Sequence, residues 1–268
     1  MKNLMRSCQT ALSECDQLPF SVYTSLKEQR IVNVPILQPV LICVLDGCKH
    51  LGNDADLRCP AGSFVFLSNS PQVDMRNIPD IATYFALLIP FEFADFSGFT
   101  DTTLPPETYV HGPIDDVLAT TLEQFVTWTT SAPATLWPSR RQEILHLLYH
   151  SGYPQISTAV EPPSLSQQLH QMISANVAED LSARELSSAL AMSESTLRRK
   201  LQAEGTHLQA LKDRARLGHG LHLIQTTQDP IGRIAEQCGY LSQSRFTDKF
   251  KQRFGITPTA LRSTRMRD

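Results

Sequence analysis

The spacing of apolar positions changes near residue 153. Before it, "FSVYTSL", "PVLICVL", "SFVFLS" and "ATYFALLI" are short runs rich in β-branched and aromatic residues, separated by the turn-forming stretches "DGCKHLGNDAD" and "PAG". Such runs read as strands, and several of them with Gly/Pro punctuation predict a small barrel or sandwich. Two helical stretches follow, roughly 114–130 and 140–151. In the second, Ile144, Leu145, Leu148 and Tyr149 gather on one side, with Leu147 beside them. After the change the spacing is helical throughout, predicting helices near 164–177, 182–190, 194–204, 206–225, 230–237, 242–253 and 257–265. Ser182 with Glu185 is a capping-box pattern, and Pro230 and Gly239 bracket the fifth of these helices. The expected fold class is α+β. It divides into an N-terminal β domain with helices over 1–153, a linker at 154–163 carrying Pro154, Pro162 and Pro163, and an all-α domain over 164–268.

The helical region contains one design twice. Leu186, Leu190 and Met192 correspond to Ile234, Cys238 and Tyr240 at a separation of 48. Leu197 and Leu201 match Phe246 and Phe250 at 49, and Ala210-Leu211-Lys212 matches Ala260-Leu261-Arg262 at 50. In each copy a short helix meets a tight turn and a basic helix follows, which is the texture of a helix-turn-helix. At about 100° per residue, placing Leu197 and Leu201 inward puts Ser195, Arg199 and Gln202 outward, flanked by Thr196 and Arg198. Arg and Gln can make paired bonds to guanine and adenine edges, whereas Lys200 suits a phosphate. In the second copy Phe246, Phe250 and Phe254 point inward. Ser244, Asp248, Lys251 and Gln252 point out, with Arg245 and Lys249 on the flanks. Asp248 is electrostatically awkward beside phosphates unless it accepts from a cytosine or pairs with Arg245 or Lys251.

Charge sharpens this picture. Residues 1–163 carry 9 Lys+Arg against 17 Asp+Glu, a net of −8, and residues 164–268 carry 15 against 10, a net of +5. An acidic half followed by a basic one points to a polyanion-binding module. No apolar run reaches the ~20 residues of a membrane span, and "MKNLMRSCQTALSECDQLPF" lacks the apolar core of a secretion signal. Six cysteines without CxxC spacing read as reduced thiols of a cytoplasmic protein. Enzyme chemistry finds little support. His50 and His111 stand alone, His146 and His150 lie four apart on a helix that packing explains better than zinc, and "GHG" at 218–220 is not a phosphate loop. Neither catalytic residues, metal nor cofactor are expected. His219 and His222 are expected to face the linker or phosphate, and Arg214 and Arg216 either DNA or the other domain.

"IAEQCGYLSQSRFTDKFKQRFGITPTALR" and "LSSALAMSESTLRRKLQAEG" resemble the C-terminal signature and the first helix-turn-helix of the AraC/XylS family of bacterial transcription regulators. The resemblance covers about 165–266. It implies an AraC-type DNA-binding domain with two helix-turn-helix units bridged by a long helix, about 206–225, entering successive major-groove segments. Carried over by position, Ser195, Arg198 and Arg199 in the first unit and Gln243, Ser244 and Asp248 in the second become base-reading candidates. Upstream, "PVLICVLDGCKHLGNDADLRCPAGSFVFLSNSPQV" is similar to the family's N-terminal domain. That similarity implies a cupin-like β-barrel followed by helices that mediate dimerisation, here through Ile144, Leu145 and Leu148. The expected function is a sequence-specific regulator, an activator, whose N-terminal domain senses a small effector. The alternative is control by a protein docking on that domain, without a small ligand. Expected partners are double-stranded operator DNA, a second copy of the chain and RNA polymerase, and no membrane.

Overall fold

A computed structural model describes residues 1–268 except 16, 37, 53–56, 69, 100–108, 160–163 and 266–268. The chain begins with a helix, α1 (Lys2–Glu14). Nine strands follow: β1 (Ser21–Ser25), β2 (Gln29–Ile36), β3 (Val40–Asp46), β4 (Cys48–Leu51), β5 (Leu57–Pro60), β6 (Ser63–Leu67), β7 (Ser70–Ile78), β8 (Tyr84–Pro90) and β9 (Tyr109–Pro113). They form a five-stranded antiparallel sheet ordered β1-β8-β3-β6-β9 and a four-stranded one ordered β2-β7-β4-β5. Among the described residues no ladder joins the two, so where a cupin-like barrel was expected the chain forms a pair of facing sheets with open edges. The chain passes between sheets at Gly47, whose φ of 78° and closeness to the Ile78 carbonyl, 2.6 Å from where a Cβ would sit, exclude any side chain.

The central strands are apolar on both faces because both faces are covered. Leu41, Cys43 and Leu45 of β3, Phe64 and Phe66 of β6, and Phe85, Leu87 and Ile89 of β8 share one cluster with α1 and with two later helices, α2 (Asp116–Thr129) and α3 (Trp137–His150). The alternate residues Ile42, Val44, Val65, Leu67 and Ala86 join a second cluster with Ile31, Val34, Val73 and Met75 of the facing sheet. A buried ion pair sets the pose of α3: Arg141 donates to Asp95 at 2.6 Å and to Glu92 at 3.0 Å.

This arrangement corrects one expectation. Ile144, Leu145 and Leu148, taken as a dimer face, are 0%, 0% and 1% exposed. They lie inside the cluster that also holds residues of α1, α2 and the five-stranded sheet, so their side chains offer no free face to a second copy. Periodicity identified the apolar stripe, but this chain's own core covers it.

The C-terminal helices are α4 (Leu165–Ala175), α5 (Ala183–Ala189), α6 (Glu194–Ala203), α7 (Leu208–Thr226), α8 (Ile231–Gln237), α9 (Gln243–Phe254) and α10 (Pro258–Arg262). Between α3 and α4, residues 154–159 form 3-10 turns, and 160–163 of the expected linker lie outside the described residues. The first helical unit has its own small core of Leu169, Ile173, Leu186, Leu197, Leu201, Leu211 and Ala215. The second unit has none of its own. Phe246, Phe250, Phe254, Ile234 and Leu261 belong to the same cluster as the facing sheets.

Candidate nucleic-acid interface

Helices α5 and α8 begin at 183 and 231, α6 and α9 at 194 and 243, and α7 and α10 at 208 and 258. These offsets of 48, 49 and 50 are those of the sequence repeat. Each unit is built from local chemistry. Ser182 accepts from the Glu185 amide at 3.2 Å while the Glu185 carboxylate accepts from the Ser182 amide at 2.7 Å, closing the box that starts α5. The turn into α6 passes through Ala191 at φ 52°, and the turn into α9 through Gly239 at φ 73°. Ser193 and Ser242 then cap the two basic helices by accepting from the Thr196 and Arg245 amides at 3.2 and 3.3 Å.

The outward faces stand as the helical geometry requires. Leu197 and Leu201 are buried, while Ser195, Arg198, Arg199, Lys200 and Gln202 are exposed and Thr196 is half-buried. The Thr196 hydroxyl lies 2.9 Å from the Ser193 hydroxyl, so it serves the cap. Arg198 is loosely tied back to Glu194 at 3.6 Å. Among the described residues no ion pair holds Arg199, which leaves its guanidinium fork open to an acceptor. In α9, Gln243, Ser244, Arg245, Asp248 and Lys251 are exposed and Lys249 is half-buried, with its ammonium 3.6 Å from Asp213 of α7. Lys249 therefore joins α9 to the long helix as much as it faces outward. Neither Arg245 nor Lys251 forms an ion pair with Asp248 among the described residues.

The long helix α7 carries contacts that the sequence left open or misplaced. Arg216 donates to Asp180 at 3.2 Å, and Lys212 to the same carboxylate at 2.8 Å, so both stay within the helical region. His222 turns away from linker and phosphate: its Nδ1 lies 3.3 Å from the Tyr23 hydroxyl of β1, and burial, with His219 adding repulsion, pushes its pKa down to about 4. Beside it runs a buried polar chain between the two halves of the molecule. Lys49 donates to Asn77 at 2.8 Å, Asn77 to Gln29 at 2.9 Å, Gln29 to Thr264 at 2.7 Å, and Gln225 to Gln29 at 3.2 Å. Burial lowers the Lys49 pKa to about 8. Gln29, Gln225 and Thr264 give no sequence signal, because the bonds that join them span 196 and 235 positions. His146 and His150 lie on the exposed side of α3, with His146 against the Phe99 ring at 4.7 Å. Among the described residues no cluster of three His, Cys, Asp or Glu could hold a metal.

A helix-turn-helix domain model matches residues 186–264. The match lies wholly within the C-terminal helices. Relatives of the chain include the HTH-type transcriptional regulators GadX of Escherichia coli O6:H1, 35% identical over 97 residues, and YdeO of Shigella flexneri, 33% identical over 95. These alignments cover 36% and 35% of this chain, and the chain spans about a third of the length of the curated relatives it matches (35% and 37%). A likeness of fold extends over nearly all of the chain. ToxT of Vibrio cholerae with unsaturated fatty acid bound superposes with a TM-score of 0.63 over 92% of this chain and 95% of its own, at 13% identity. A second ToxT structure gives 0.65 over 92% and 98%. No helix among the described residues is long and apolar enough to cross a membrane.

Proposed function

We propose that this protein is a sequence-specific DNA-binding transcription regulator, an activator acting in the cytoplasm with RNA polymerase. The observation that carries the reading is the tandem of α6 and α9. Each is capped, buried along one apolar stripe and open along a polar, basic face that a major groove can accept. Ser195, Arg198 and Arg199 are assigned to base edges in the first unit, with Gln202 beside them and Lys200 on a phosphate. Gln243, Ser244 and Asp248 take base edges in the second, with Arg245, Lys249 and Lys251 toward phosphates. The functional division is an N-terminal regulatory domain over 1–153, a linker at 154–163 and the DNA-binding domain over 164–268. A homodimer fits the family pattern, formed through a surface other than the buried α3 stripe.

For the input signal, a small effector is the first reading. The ToxT structure with fatty acid bound supports it as a fold-level analogy. Control by a docking protein is the second, and it takes support from the apolar side chains that fill the space between the facing sheets. Mass spectrometry of small molecules retained by the purified protein separates the two. The DNA assignment is tested by selecting duplexes from a random pool and measuring Arg199→Ala on the winning site. A loss of about 1–3 kcal/mol with relaxed preference at one base pair is expected. Equal binding of wild type and Arg199→Ala to selected and scrambled duplexes removes Arg199 from the reading face.

A further inference from the structure

The offset between the two helical units grows from 48 to 49 at one place, between the turn residue and the N-cap. Met192 is followed directly by its cap Ser193, whereas Tyr240 is separated from Ser242 by one extra residue, Leu241. That inserted residue is a leucine at 102% exposure. Its position, just before an N-cap, is where an apolar side chain ordinarily packs on the residue four into the helix. Here that residue is Phe246, and the ring beside it at 5.4 Å is Tyr240. Phe246 is fully buried without any help from Leu241. Leu241 thus has no part in the core of the second unit.

We propose that Leu241 is a specificity residue, reading a thymine through its C5 methyl group. The inference rests on the DNA-binding function proposed above. Recognition helices of this type touch base edges with their N-terminal residues, and Leu241 adjoins that end of α9, next to the exposed Gln243, Ser244 and Arg245. An apolar group gains nothing from phosphate. In the major groove the apolar feature of the base edges is the thymine methyl, and covering it removes both groups from water. The first unit, lacking the insertion, has no equivalent reader. The second unit therefore compensates for its acidic Asp248 with an apolar contact at the helix entrance, and its site preference leans to A·T at that position.

The test uses the full chain and a duplex selected from a random pool with the wild type. Each thymidine in turn is replaced by deoxyuridine, which lacks only the methyl group. Wild type is expected to lose about three- to tenfold in affinity at one thymidine in the half contacted by α9. Leu241→Ala is expected to lose a similar factor on the unmodified duplex and to be indifferent to deoxyuridine at that position. Because Leu241 is exposed, the variant should unfold with the wild-type midpoint, and Leu241→Met should keep the methyl response. Failure to enrich any duplex overturns the DNA-reading function and this inference together. An enriched duplex that Arg199→Ala binds weakly but Leu241→Ala binds like wild type, with the same deoxyuridine profile, overturns the leucine contact alone. Unchanged DNA affinity of Leu241→Ala with lost transcription in a purified polymerase assay also overturns it, placing Leu241 on a protein partner.

Discussion

Gly220 lies in the middle of α7, where glycine ordinarily weakens a helix, so replacing it with alanine isolates what the tertiary packing demands. On propensity alone Gly220→Ala should stabilise by about 1 kcal/mol. The structure predicts the opposite. A Cβ at 220 would lie 2.8 and 2.9 Å from Cε2 and Cζ of Phe246, and 3.2 Å from the Cys238 sulfur. Carbon atoms prefer about 3.5–4.0 Å, so the ring must recede by roughly 0.7 Å. It has little room to do so, being fully buried with Tyr240 at 5.4 Å and Phe250 at 5.6 Å. Overpacking of this kind costs about 1–3 kcal/mol, which outweighs the propensity gain and leaves a net loss of about 1 kcal/mol. Phe246 belongs to α9, so the displaced ring also tilts the basic helix and weakens binding to a selected duplex. Urea unfolding of wild type and variant, with the slope checked for constancy, measures the first effect, and a binding titration the second. A Gly220→Ala protein with a higher midpoint and unaltered DNA affinity would refute the close approach of α7 and α9.

Three further outcomes are expected. Ala191 sits at φ 52° in the turn where the second unit has Gly239, so Ala191→Gly should raise the unfolding midpoint by up to about 1 kcal/mol in stability, and an unchanged or lower midpoint would show the turn to be unstrained. Leu148→Ala should cost about 2–5 kcal/mol of stability while leaving the sedimentation mass of the folded protein unchanged; weaker self-association at full stability would return α3 to the dimer contact. The His222 pKa is about 4 in the fold, below the ~6.5 of an unfolded chain, so the neutral ring is the form that the β1 contact accommodates. Its contribution is complete above about pH 6.5 and lost as pH falls toward 4, so the stability gap between wild type and His222→Leu should narrow over that window, and a gap independent of pH would contradict the placement.

Much of the helical half was legible because its determinants are local. The Ser182 capping box and the inward stripes depend on residues within a turn or two of each other. Strands β3, β6 and β8 were visible for a related reason: buried on both faces, they read as continuous apolar runs. Strands β2, β4, β5 and β7 were not, since sequences such as "QRIVNVPI" and "CKHL" carry interspersed polar residues, and β2 also carries register shifts and Asn33 at φ 53°. Helix α1 escaped notice because its buried face is only Leu4, Cys8 and Ala11.

The sequence by itself determined two helix-turn-helix units, their basic helices and the residues facing outward, because periodicity acts within one element. What covers each apolar stripe was decided by the tertiary structure alone. Leu197 and Leu201 close a small core inside the first unit, and Ile144, Leu145 and Leu148 join the N-terminal core of this same chain. Phe246, Phe250 and Phe254 join the core of the facing sheets, and Gln29 hydrogen-bonds Gln225 and Thr264 between the same two parts of the chain. A stripe states that apolar surface must leave water, but burial is non-directional, and only the packed chain selects the surface that completes it.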